Sequence, residues 1–147
     1  ADLIARNIAI KARVVEADEF ETIGIRALLN FGHTIGHGIE ASVPYGQMLH
    51  REAISLGIRA ALYLSEKKSG LTAEESERVL SLLKQFNLPL VLSDAISTDT
   101  VMEKLAKDKK FSSGQIRFVT LDALGSAKLI SEVTLEDIRE AIEVLRQ

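Results

Sequence analysis

Cysteine is absent from the chain. That excludes disulfide staples and thiolate metal ligation, and it suits a reducing compartment, so a cytoplasmic location is the expectation. Long apolar runs are also missing, and no stretch approaches the roughly 20 residues that a membrane-spanning helix needs. A basic excess is lacking: 18 Lys and Arg stand against 21 Asp and Glu, a formal net charge of −3, so there is no electrostatic footprint for nucleic acid. The start of the sequence carries no secretory signal pattern. No glycine-rich strand-to-helix turn of the dinucleotide-binding kind occurs, and no internal repeat or low-complexity segment is visible. The first residues, Ala1-Asp2-Leu3, lack an initiator methionine, which points to a fragment or a processed product.

With 46% apolar and 27% charged residues, the 147-residue chain has the composition of an ordinary globular protein. Its length suits one domain over residues 1–147, long enough to bury a core unaided. Apolar spacing predicts a helix over residues 3–15, an acidic turn at 16–21 and a break at Gly24. A second helix runs through residues 26–40. The segment Ala41–Gly46 reads as a turn, and a long helix follows from about Met48 to Ser69, with Gly70 as its stop. Thr72 and Glu75 form a capping-box pattern for a helix reaching Phe86, which Asn87-Leu88-Pro89 ends. After a loop over residues 94–99, a short helix carries Val101, Met102, Leu105 and Ala106. Gln115–Leu121 and Ala127–Ser131 read as a strand pair around Gly125. Thr134 and Asp137 open a last amphipathic helix with Ile138, Ala141, Ile142 and Leu145. The fold class is mainly α, with several helices and one small β-hairpin.

The chemistry is concentrated in Arg26-Ala-Leu-Leu-Asn30-Phe-Gly32-His33-Thr-Ile-Gly36-His37-Gly38-Ile-Glu40. Arg26, Asn30, His33, His37 and Glu40 follow at spacings of 4, 3, 4 and 3, which puts them on one helical stripe. Leu28, Leu29, Phe31, Ile35 and Ile39 cover the other faces. Three glycines each cost a helix interior roughly 1 kcal/mol relative to alanine. They are explained by close approach of another backbone at the Gly32/Gly36 face, or by room for a ligand. All three histidines of the chain lie between positions 33 and 50. The bland reading is a glycine-lined helix crossing with surface histidines. The functional reading is a metal or anion site, since neutral imidazoles bind divalent metals and Arg with protonated His binds phosphate or carboxylate. Spacing alone pairs His33 with His37, as in other helical i, i+4 sites.

This run, followed by Tyr45-Gly46 and Leu49-His50-x-Glu52-Ala53, resembles the zinc-binding segment of the dehydroquinate synthases, a family of sugar-phosphate cyclases. Further matches are Lys11 ahead of Glu16–Glu21, Leu88-Pro89, and Asp108-Lys109-Lys110 before Gly114-Gln115-Ile116. Arg51 departs from the small residue the family commonly has there. The resemblance covers nearly the whole chain but only the C-terminal half of the family's protein. It implies the multi-helix C-terminal domain of that fold, with His33 and His50 as ligands of zinc (or cobalt) and His37 as a non-ligand. The third ligand would be a glutamate from the preceding segment. It also implies that Lys11 and Arg26 hold a substrate carboxylate and Asn30 a hydroxyl, while His37 and one of Lys109 or Lys110 face a phosphate.

The implied reaction converts the sugar phosphate 3-deoxy-D-arabino-heptulosonate 7-phosphate to 3-dehydroquinate and phosphate, in the shikimate pathway to the aromatic amino acids. It uses NAD held mainly by an N-terminal domain of the same protein, in a homodimer, so this chain alone is expected to be folded but inactive. By default Lys11 is one more solvated lysine, and Lys107–Lys110 a solvated charge cluster. Two other classes stay open: the same domain of another NAD- and metal-dependent sugar-phosphate cyclase, and a non-catalytic helical metal-binding protein.

Overall fold

A computed structural model describes residues 30–108, 111 and 116–147. The expected helix over 3–15, the acidic turn at 16–21, Gly24, Lys11, Arg26, Lys109 and Lys110 lie outside the described residues. Among the described residues the elements are α1 (His33–Ala41), α2 (His50–Lys68), α3 (Ala73–Gln85), α4 (Thr98–Ala106), β1 (Phe118–Ala123), β2 (Ser126–Ile130) and α5 (Leu135–Val144). The two strands form an antiparallel hairpin, with Phe118 opposite Ile130 and Leu121 opposite Ala127, and an irregularity between Leu121 and Ala123. The mainly α architecture with one small hairpin is therefore as expected. Strand β1 begins three residues later than the sequence pattern suggests.

Local chemistry sets most helix starts. The Thr72 hydroxyl accepts from the Glu75 N–H at 3.1 Å, and Thr134 does the same for Asp137. Each satisfies an orphan donor of its helix's first turn. Ser97 caps α4 by accepting from the Thr100 N–H, so that helix starts earlier than Val101. At α2 the Glu52 carboxylate accepts from the Leu49 N–H at 2.9 Å. The start of α1 differs from expectation. Gly32 has φ +80°, a left-handed conformation that interrupts helical backbone, so α1 begins at His33. Asn30 lies in the turn before it and not on one continuous stripe with His33, His37 and Glu40.

Helix α2 is the centre of the packing. It lies against α1, α3, α5 and β1, while α1 also packs on α4. The buried core joins Ile35 and Ile39 of α1 to Leu56, Ala60, Ala61 and Leu64 of α2. It continues through Leu92, Val101, Leu105 and Phe118 to Ile138, Ala141 and Ile142 of α5. The connection over residues 87–97 has no regular structure, yet it is tied down by polar bonds. Ser55 donates to the Pro89 carbonyl, Arg59 to that of Leu90, and Arg146 to those of Ser93 and Ile96.

Two contacts fix how α2 is held. The first is its antiparallel crossing with α1. A Cβ added at Gly57 would stand 2.0 Å from the Gly32 carbonyl oxygen and 2.7 Å from the Gly36 nitrogen, so the two backbones touch there. The second is an ion cluster at the other end of α2. Lys67 reaches Asp137 at 3.0 Å and Glu140 at 2.6 Å, and Lys68 reaches Asp137 at 3.1 Å. Burial pushes the Asp137 carboxyl up. The Thr134 N–H, Lys67 and Lys68 together outweigh burial, and the net result is a carboxyl far below the usual range.

Gly57→Ala is expected to destabilise the protein by about 3 kcal/mol or more, because backbone atoms cannot retreat from the new methyl as a side chain would. Urea unfolding measures this, and a change below about 1 kcal/mol would contradict the crossing. Asp137→Asn is expected to cost about 1–2 kcal/mol at neutral pH. A depressed folded-state carboxyl contributes stability that is present above the unfolded value of about 4 and lost as pH falls through the folded one. The gap between wild type and variant should therefore close as the pH is lowered below about 4, which thermal melts across that range will show.

Candidate functional site

The crossing of α1 and α2 brings together the three imidazoles. His33 is the first residue of α1 and His50 the first of α2, and the connection over residues 42–49 folds the second helix back along the first. Ring centroids are 6.0 Å apart for His33 and His50, 5.3 Å for His33 and His37, and 5.7 Å for His37 and His50. His33 is half-buried, whereas His37 and His50 are exposed. The cluster therefore faces the surface from two closely packed helices. Asn30 is half-buried in the turn that leads into Gly32.

Two imidazoles on one tetrahedral zinc, with Zn–N bonds of about 2.0–2.1 Å, have centroids roughly 5.3 Å apart. The 6.0 Å between His33 and His50 is within 1 Å of that, and the 5.3 Å between His33 and His37 equals it. The 5.7 Å between His37 and His50 falls in the same range, so ring spacing alone admits any of the three pairs, and nitrogen donors of this softness suit zinc or cobalt. Among the described residues no three His, Cys, Asp or Glu side chains converge closely enough to hold a metal ion by themselves. The donor set fits an ion that takes part of its coordination from these imidazoles and the rest from outside the described residues.

The stripe residue without an assigned role in the sequence reading, Glu40, turns out to be structurally specific. Its carboxylate accepts from His50 Nδ1 at 2.8 Å, at the connected end of the hairpin. The Glu40 side chain is 38% exposed and that of His50 57%, so water competes for the pair and it adds little to stability. Its signal in the sequence was membership of the polar stripe, three residues after His37. Its partner could be found only from the register of the two helices. The end of α1 is itself well fixed: the Ser42 hydroxyl donates to the Gly38 carbonyl at 2.7 Å, and the Ser42 N–H bonds the Ile39 carbonyl.

Two hollows among the described residues carry no comparable chemistry. A cavity of about 490 Å³ between the end of α4 and the β2–α5 connection is lined by Ala106, Phe111, Ile116, Val133 and their neighbours. A smaller one of about 280 Å³ lies between α2, α3 and the segment around Val91. Neither contains a histidine. Among the described residues no helix is long and apolar enough to cross a membrane.

The backbone is similar to two solved cyclases. One is 2-epi-5-epi-valiolone synthase from Streptomyces hygroscopicus subsp. jinggangensis 5008, solved with NAD+ and Zn2+ bound. It aligns with a TM-score of 0.80 at 22% identity, covering 98% of this chain and 39% of that one. The other is 2-deoxy-scyllo-inosose synthase, complexed with carbaglucose-6-phosphate, NAD+ and Co2+. It gives a TM-score of 0.74 at 24% identity, covering 93% of this chain and 38% of that one. At these identities the likeness shows the fold.

Sequence relatives are nearer. A 3-dehydroquinate synthase of Vibrio atlanticus (strain LGP32) is 42% identical over 143 residues, and one of Dichelobacter nodosus (strain VCS1703A) is 42% identical over 145. These alignments take in 97% and 99% of this chain but 39% of each relative, so the chain spans well under half the length of the enzymes it matches. The family model described as 3-dehydroquinate synthase C-terminal matches residues 1–111. On that match and on these relatives, the chain belongs to the 3-dehydroquinate synthase C-terminal family.

Proposed function

We propose that residues 1–147 form the C-terminal metal- and substrate-binding domain of a 3-dehydroquinate synthase. The whole protein would convert 3-deoxy-D-arabino-heptulosonate 7-phosphate to 3-dehydroquinate and phosphate. The observation that carries this reading is the meeting of His33, His37 and His50 within 6.0 Å at a helix crossing, in a chain of this family. His33 and His50 would hold a divalent zinc or cobalt ion, with a further ligand from another part of the protein. When bound, that ion supplies Lewis acidity to oxygens on the carbon being oxidised, and NAD on a separate N-terminal domain supplies the hydride acceptor.

This chain's own residues bind and orient the substrate. Arg26 and Lys11 would clamp the carboxylate, Arg26 through its two-pronged guanidinium. Asn30 would bond a hydroxyl. His37, exposed beside the two ligands, would donate to the phosphate together with Lys109 or Lys110, whose ammonium suits a phosphate dianion. The assembly is a cytoplasmic homodimer on this reading. Identity near 40% to 3-dehydroquinate synthases, against 22–24% to the other two cyclases, favours the heptulosonate phosphate over other sugar phosphates.

In the whole protein, His33→Ala and His50→Ala should each lower kcat/KM by at least about 100-fold without unfolding it, whereas His37→Ala should chiefly weaken substrate binding. Phosphate release with zinc, NAD and the heptulosonate phosphate measures this. Equal activity of the His50 variant and wild type would remove the metal-site reading. Residues 1–147 alone should be folded by circular dichroism yet release no phosphate, and should gain activity when the N-terminal domain is supplied in trans. Turnover by the chain alone would overturn the division of labour proposed.

A further inference from the structure

We infer that Glu40 is a positioning residue for the metal site: it fixes the tautomer and orientation of the His50 ring. The inference rests on the reading of His50 as a ligand. The His50 Nδ1–H donates to the Glu40 carboxylate at 2.8 Å. An imidazole with its proton committed to Nδ1 presents an unprotonated lone pair at Nε2, on the opposite side of the ring. That is the form in which a neutral histidine binds a divalent ion. A carboxylate on the far nitrogen also fixes the orientation of a ligating ring.

Geometry separates this role from two others. The two nitrogens of an imidazole point in divergent directions, so the oxygen bonded to Nδ1 cannot also reach an ion on Nε2. Glu40 therefore does not act as a ligand through that oxygen. Nor is the contact part of the core: both side chains face water, and Glu40 is 38% exposed. The contact is well placed to set an angle. Glu40 lies in the last turn of α1, whose end is held by the Ser42 bonds to the Gly38 and Ile39 carbonyls. His50 begins α2, where Glu52 holds the Leu49 N–H. Two fixed helix ends thus meet through one hydrogen bond. It links the helix that carries His33 and His37 to the helix that carries His50.

The test uses the whole protein and its Glu40→Ala, Glu40→Gln and His50→Ala variants. Co2+ affinity is measured by competition with a chromogenic chelator, and the Co2+ absorption spectrum reports ligand geometry. The imidazole nitrogen shifts of the metal-free protein in alkaline buffer report the His50 tautomer. Glu40→Ala should weaken Co2+ binding about 10–100-fold, alter the visible spectrum, and release His50 from the Nδ1–H form, while the melting temperature stays unchanged. Glu40→Gln, whose amide oxygen accepts the same bond, should restore the tautomer and part of the affinity. Wild-type affinity in Glu40→Ala, with affinity lost in His50→Ala, would overturn the role of Glu40 and leave the metal site standing. Wild-type affinity in His50→Ala would overturn both. Weakened binding matched by a lowered melting temperature in Glu40→Ala would make Glu40 a packing residue and overturn its positioning role.

Discussion

The contact between the backbones of α1 and α2 is the constraint on which the rest depends. No side chain separates them at Gly57, where a methyl group would meet the Gly32 carbonyl oxygen at 2.0 Å. Helices held at side-chain distance run with axes 8–10 Å apart. Removing the side chain at the crossing lets them come closer, and the residues flanking it then approach from both sides. This is why imidazoles from two helices reach one another within 6.0 Å. The glycines cost helix propensity, and the loss is offset by burial of Ile35, Ile39, Leu56 and Ala60 around the crossing. Packing and site geometry are therefore set by the same atoms.

A crossing that brings rings together must also be kept from rotating, and the second half of the fold does that. Helix α2 extends well beyond α1 and is gripped at its far end by α5, through Lys67 and Lys68 on Asp137 and Glu140. Asp137 serves twice, since its carboxylate also accepts the Thr134 N–H that starts α5. The cap and the interhelical bridge share one group, and α5 cannot begin elsewhere without losing the bridge. On the opposite side, Gly38 lets α1 sit against Leu105 and Val101 of α4. The histidine-bearing hairpin is thus clamped between α4 and the α5–β1 layer and does not depend on its own loop for rigidity.

What was legible in the sequence follows from the range of each interaction. Helices α3 and α5 were readable because Thr72 with Glu75 and Thr134 with Asp137 complete their caps within four residues. The break at Gly32 was not, because glycine also occurs inside α1, and nothing local marks Gly32, with φ +80°, apart from Gly36 and Gly38, which stay helical. Spacing paired His33 with His37, and those rings do approach. It could not supply His50, which arrives by the tertiary return of α2. The Glu40–His50 bond was invisible for the same reason, being ten residues apart with a turn between. The irregular segment 87–97 likewise owes its order to Ser55, Arg59 and Arg146, none of which is local to it.

The lack of cysteine bears on the chemistry as well as on the fold. On the proposed reading this chain gives its ion imidazole donors, which place less negative charge on it than thiolates would, and an ion less neutralised by its ligands polarises substrate oxygen more strongly. Nitrogen donors alone, however, leave orientation loose, because an imidazole rotates about two bonds and offers either nitrogen. The hairpin meets that difficulty by geometry. Gly57 sets the distance between helices, the fixed ends of α1 and α2 set the direction of approach, and Glu40 engages one nitrogen of His50 so that the other is presented. On the proposed reading, a small helical scaffold thereby supplies two defined coordination positions and leaves the remainder to groups outside the described residues. That is the arrangement expected of a metal site which must also admit a substrate.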